Sequence, residues 1–135
     1  MISRFILVVC CTLALVSLVL FRGYIPGTIK RDANGFVHGT GKLEYFYPNG
    51  KLKLDETYLN GQIRVSKFYL PVGTVFATTN WQNGTGLEYG LNDDGSLRVV
   101  IPYRNGLAEG WAIEYGVDRT VSRRILYRNG ERVYP

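Results

Sequence analysis

At 135 residues the chain has room for one domain of ordinary size and not for two, and its net charge of +5 is modest but unevenly placed. Its only two cysteines, Cys10 and Cys11, both sit in an apolar N-terminal run. That excludes a disulfide or a Cys-based metal site from the remainder and is compatible with either redox compartment.

Residues 1–22 read as an N-terminal signal-anchor or transmembrane segment. Between Arg4 and Arg22, the stretch Phe5 to Phe21 holds seventeen residues without a charge. As a helix it would span roughly 25 Å, slightly short of a hydrocarbon core of about 30 Å, with Tyr24 and Ile25 extending it into the interface. A cleaved signal peptide is the alternative, and Leu18-Val19-Leu20-Phe21-Arg22-Gly23 offers no pair of small residues two apart for cleavage. Lipidation at Cys10 or Cys11 is weaker still, because Val9 stands where a small residue should precede the modified cysteine. Arg4 and the amino terminus oppose Arg22, Lys30 and Arg31 across the span, so the charge balance does not orient it. The expectation is a single-pass membrane protein with its domain translocated, or a secreted or periplasmic one if the segment is removed.

Residues 23–34, with Gly23, Pro26 and Gly27 and no sustained period, read as a tether. Residues 35–135 form the expected domain. Alternation opens it: Leu43, Tyr45 and Tyr47 point one way and Lys42 and Glu44 the other, and Pro48-Asn49-Gly50 then turns the chain into Leu52, Leu54 and Tyr58. The period of two continues on odd-numbered positions: Ile63, Val65 and Tyr69; Val75, Ala77 and Trp81; Leu87, Tyr89 and Leu91. It goes on through Leu97, Val99, Ile101 and Tyr103, then Trp111, Ile113 and Tyr115, then Val121, Ile125 and Tyr127. Eight or nine short strands with one apolar face and no amphipathic helix predict an all-β antiparallel meander. Phe46, Phe68, Phe76 and Leu126 are expected on the other face. Pro102 removes a ladder donor and predicts a bulge or an unpaired position.

A tetrapeptide punctuates these strands. Tyr58-Leu59-Asn60-Gly61 returns as Trp81-Gln82-Asn83-Gly84, Tyr103-Arg104-Asn105-Gly106 and Tyr127-Arg128-Asn129-Gly130, each 22 to 24 residues after the last. Such a period marks a repeat array whose units bury their apolar faces by stacking on one another. Asn-Gly suits a two-residue hairpin turn that needs positive φ at both positions, and the aromatic three before each Gly is expected to fill a repeated slot.

These tetrapeptides, with the small-residue openings Gly39-Thr40-Gly41 and Gly84-Thr85-Gly86, resemble MORN repeats. The similarity is closer to the bacterial, antitoxin-like variant, and Tyr45-Phe46-Tyr47-Pro48-Asn49-Gly50-Lys51-Leu52 carries it best. The resemblance runs from about Asn34 to Gly130. It implies an elongated single-layer sheet of stacked hairpins serving as a scaffold, a membrane tether or a protein-binding surface, and it supplies no catalytic residue.

Chemistry-bearing constellations are sparse. His38 has no second His and no Cys near it to complete a zinc site, and no Ser lies in a nucleophile-elbow turn. Placing Gly95 of Asn92-Asp93-Asp94-Gly95 at the sixth position of a calcium loop puts Ile101 where a Glu is required. Asn83-Gly84-Thr85 is a formal glycosylation sequon, which reads equally as a hairpin turn. Glu44, Asp55 and Glu56 are interleaved with Lys42, Lys51 and Lys53, as on a solvated face. No enzyme activity, cofactor or metal is expected. The aromatics fall mostly on the apolar side of the strands and away from the clustered arginines, which disfavours nucleic acid. Arg119, Arg123, Arg124, Arg128 and Arg132 crowd the last repeat, either as a charged edge that blocks aggregation or as a contact for anionic lipid or an acidic protein. The leading expectation is a membrane-anchored, non-enzymatic interaction scaffold with a protein partner. An antitoxin-like or immunity-like inhibitor and a lipid-surface binder are the alternatives.

Overall fold

The computed structural model describes residues 29–134, so the expected membrane helix and both cysteines lie outside the described residues. Twelve strands follow one another: β1 (Lys30–Arg31), β2 (Val37–His38), β3 (Gly41–Phe46), β4 (Leu52–Leu59), β5 (Gln62–Tyr69), β6 (Val75–Asn80), β7 (Gly86–Leu91), β8 (Leu97–Arg104), β9 (Leu107–Ala108), β10 (Gly110–Tyr115), β11 (Val121–Arg128) and β12 (Glu131–Val133). All pairing is antiparallel. β1 and β2 pair alone, β3 to β6 form a four-stranded sheet in chain order, and β7, β8, β10, β11 and β12 form a second sheet with β9 also on β8. The all-β antiparallel expectation is met, with one correction at the start. Ile29 is 2% exposed and β1 is paired, so the stretch from Ile29 to Asn34, expected as tether, belongs to the fold.

Two turn types alternate along the chain. Asn60, Asn83, Asn105 and Asn129 have φ near 50°, and each is followed by a glycine with φ of 73–80°. That is the mirror-image two-residue turn whose twist matches the strands it joins. Between them come five-residue turns, Tyr47–Lys51, Leu70–Thr74, Asn92–Ser96 and Gly116–Thr120. In each, the first residue's N–H donates to the fifth carbonyl and the fourth N–H donates to the first carbonyl, at 2.8–3.0 Å. The fourth position needs positive φ and is Gly50, Gly73 or Gly95, but Arg119 in the last unit, at φ 63°. The turns at Pro71-Val72-Gly73 and Val117-Asp118-Arg119, divergent in sequence, keep the common geometry.

Beside every five-residue turn the ladder skips a residue. Lys53, Phe76, Arg98 and Ser122 are the extra residues, at equivalent places in the four units. A bulge adds local twist and bends its strand, and repetition in each unit coils the sheet about one face. Bulges also flip parity, because each adds one residue to a period of two. The odd-numbered face therefore holds in β3, β6, β8 and β11, where Leu43, Thr79, Val99, Ile101, Tyr103 and Ile125 are buried, and fails in β5, β7 and β10. In β5 the buried residues are Ser66 and Phe68, and in β10 Ala112 is buried while Trp111 is 57% exposed. Phe68, expected on the far face, pairs with Leu54 and Ala77 on the sheltered one. Pro102 lies where the strand opposite breaks between β9 and β10, and its carbonyl accepts from Glu109 N–H at 2.9 Å. Its missing donor would have faced that break.

Two apolar clusters result. Ile29, Val37, Leu43 and Tyr58 pack in the first; Trp81, Val99, Ile101, Tyr103, Ala108, Ala112 and Ile125 pack in the second; Ile63 touches both. At the seam between the sheets Thr79 Oγ1 donates to Leu87 O at 2.6 Å, and Tyr89 stands edge-on to Phe68 and Phe76 with ring centroids 5.3 and 5.8 Å away.

Candidate functional site

The tetrapeptide aromatics lie on the sheltered side, ahead of the Asn-Gly turns. Tyr58, Trp81 and Tyr103 are buried, Tyr127 is half-buried, and Trp81 meets Tyr103 edge-on at 5.8 Å. The Trp81 indole N–H donates to Ser66 Oγ at 2.8 Å. Units are stitched through backbone at the same turns: Gly61 N–H donates to Gly39 O, Gly106 to Gly84 O and Gly130 to Ala108 O, at 2.7–2.9 Å. A side chain on Gly84 would run into the Gly106 backbone nitrogen, so a bare backbone is required there.

The sheltered face is not wholly apolar, which overturns the reading of Glu56 as part of a solvated face. Its carboxyl is buried and accepts from the Tyr45 and Tyr58 hydroxyls at 3.2 and 3.1 Å, while Arg31 Nη2 donates to the Tyr45 hydroxyl at 2.7 Å. Burial pushes Glu56 up, against the two hydroxyls and Arg31. Glu88 is pushed up to about 7, first by burial and then by the Glu56 charge, with Tyr103 and Arg98 opposing. Asp55 is likewise buried, on the other side of β4, where Lys42 Nζ stands 3.1 Å from it. Glu56 and Glu88 thus form a polar interior on the sheltered face, and Asp55 lies outside it.

His38 pairs with Asp32 at 2.9 Å at the exposed β1–β2 hairpin. Asp94 Oδ1 accepts from Ser96 N–H and Oγ inside its own turn, and Asp93 holds Lys53 at 3.1 Å. Among the described residues, no group of three or more His, Cys, Asp or Glu side chains gathers as a metal site.

The open surface lies on the second sheet. Trp111, Leu126 and Val133 are cross-strand neighbours on the face opposite the core, and Tyr89, Val100, Ile113 and Arg124 form the adjoining row. Trp111 and Val133 are exposed, and Leu126, Val100 and Ile113 are half-buried. The matching face of the first sheet is largely polar: Lys42, Glu44, Asp55, Thr57, Lys67 and Thr78 occupy it.

The apolar face runs into a depression of about 510 Å³, where Trp111, Arg123, Arg124, Arg132, Val133 and Tyr134 meet around Ile125 and Leu126. Arg123 Nε donates to Glu114 Oε2 at 2.8 Å, and the Arg132 guanidinium lies 5.6 Å from the centre of the Tyr134 ring. Of the five arginines singled out by sequence, the fold thus brings Arg123, Arg124 and Arg132 together. Arg119 sits in the β10–β11 turn, and Arg128 at the far end of β11 beside the Asn129-Gly130 turn. Comparison with protein-family models, curated proteins and solved structures finds no match.

Periodicity alone misses Trp111 and Val133 as surface residues, because the odd number of Trp111 puts it on the apolar face. Aligning the units on their turns would have found it: Trp111 aligns with Lys42 and Val65, one place before the sheltered Leu43 and Ser66.

Proposed function

We propose that this chain is a membrane-anchored, non-enzymatic scaffold of stacked MORN-like hairpins, presenting the uncovered face of its second sheet to a protein partner. The observation that carries the reading is the apolar row Trp111, Leu126 and Val133, with Trp111 57% exposed at one end. A contiguous apolar patch rimmed by charge is typical of an interaction site, and Trp and Arg are the residues most enriched at the centres of interfaces. The turn and bulge repeat every 22 to 24 residues supports the MORN-like part. The uncharged run from Phe5 to Phe21 supports the anchor.

Photo-crosslinking in native membranes tests the reading, with benzoylphenylalanine placed at Trp111 and, as a control, at Lys67 on the polar face of the first sheet. One stoichiometric protein is expected from position 111 and not from 67. Equal capture at both positions, or none, removes the interaction reading.

A further inference from the structure

We infer that the depression at the end of the second sheet is a strand-addition site for an extended, acidic segment of a partner protein. The inference rests on the scaffold reading and fixes where and how the partner docks. β12 covers β11 only from Leu126 to Arg128. The five residues Val121 to Ile125 continue β11 beyond the end of β12, and among the described residues Val121, Arg123, Arg124 and Ile125 pair only with β10, Ser122 being the bulge. In an antiparallel pair, residues directing N–H and C=O to one neighbour alternate along the strand. Arg128 and Leu126 serve β12 across the two-residue turn, so Arg124 presents its backbone donor and acceptor to the open edge. About 16 Å of strand is available there, enough for four or five residues of an added chain.

The side chains around this edge fix the chemistry of what fits. Arg124 and Arg132 are exposed and Arg123 is shared with Glu114, so the notch carries more positive than negative charge. Trp111 and Tyr134, 57% and 74% exposed, offer ring surface beside it. An added strand sends alternate side chains to opposite faces. Carboxylates therefore meet Arg124 on the Trp111 face and Arg132 on the opposite one, and an apolar residue beside Trp111 extends the exposed face. Main-chain pairing supplies affinity and these pockets supply selectivity, as in other strand-addition complexes. Charge decides among possible occupants, because a second copy of the chain would bring the same arginines into the notch.

The test uses the full chain in nonionic detergent micelles and a phage-displayed library of random decapeptides. Selected peptides should be enriched in Asp and Glu on both faces of the strand, with an apolar residue among them. The leading peptide should lose at least tenfold in affinity against the double variant Arg124→Glu, Arg132→Glu, whose thermal unfolding is checked to be unchanged. N-methylation of its alternate amides should cost a similar factor, since a strand cannot add without them. A selection lacking acidic bias, an affinity indifferent to the double variant, or tolerance of N-methylation would each overturn the inference. So would sedimentation showing a dimer that the variant dissolves, or binding of phosphatidylserine vesicles, but of no peptide, through these arginines. If crosslinking at Trp111 yields its single partner while these tests fail, only the notch assignment falls. If crosslinking yields nothing, the scaffold reading falls with it.

Discussion

Trp81 and Trp111 are indistinguishable by residue type and sit at opposite extremes of environment. Trp81 is 8% exposed, bonded to Ser66 and edge-on to Tyr103. Trp81→Ala should cost about 3–5 kcal/mol, and Trp111→Ala about 0.5 kcal/mol or less, in urea unfolding. Equal losses would mean that the outer face is packed. Glu88 makes a second residue-scale case, because it aligns with Leu43, a core leucine two units earlier. Its carboxyl is raised from 4.5 to about 7, so the folded state prefers the protonated form. The stability this group lends is full below about pH 4.5 and is lost as pH rises through 7, by about 3 kcal/mol at most. Glu56 shifts in the same direction. Thermal unfolding from pH 5 to 8 should fall for the native chain and fall distinctly less for Glu88→Gln, which stays neutral. An identical slope in both would place the titrating group elsewhere.

At the scale of the element, the five-residue turn is one geometry written with different residues. Arg119 holds at φ 63° the place that glycines hold at 80–96° in the other units. A left-handed conformation costs an ordinary residue about 1–2 kcal/mol, partly offset by the greater freedom glycine loses on folding. Arg119→Gly should therefore raise stability by about 0.5–1 kcal/mol in chemical denaturation; a loss would show that the side chain contributes more than the strain it stores. The Asn-Gly turns were legible, because both residues advertise positive φ and four copies recur in step. The bulges were not. Nothing in Lys53, Phe76, Arg98 or Ser122 marks an extra residue, and each silently reverses which later positions face the core. That is why strands and hairpins followed from periodicity while Phe68, Glu56 and Trp111 were placed on the wrong face. The clustering of Arg123, Arg124 and Arg132 needed the β11–β12 register, whereas the basic character of that end was visible in composition alone.

For the whole molecule, the decisive feature is the seam between β6 and β7, where one meander becomes two sheets. A stacked array is stabilised by each unit and by the contact between neighbours, so a weak interface lets one part open without the other. Here the two apolar clusters share Ile63, and the seam is also held by Thr79 on Leu87, by Lys53 on Asp93, by Tyr89 against Phe68 and Phe76, and by Trp81 against Tyr103. Ile63→Ala removes the residue common to both clusters and should cost about 2–4 kcal/mol. More tellingly, it should split a single unfolding event into two. Amide exchange in β3 to β5 would then report a lower opening free energy than exchange in β8, β10 and β11, where the larger cluster remains whole. If both sheets lose protection together in the variant, coupling runs through the ring contacts at Tyr89 and Trp81, and the array behaves as one cooperative unit despite the break in its hydrogen bonding.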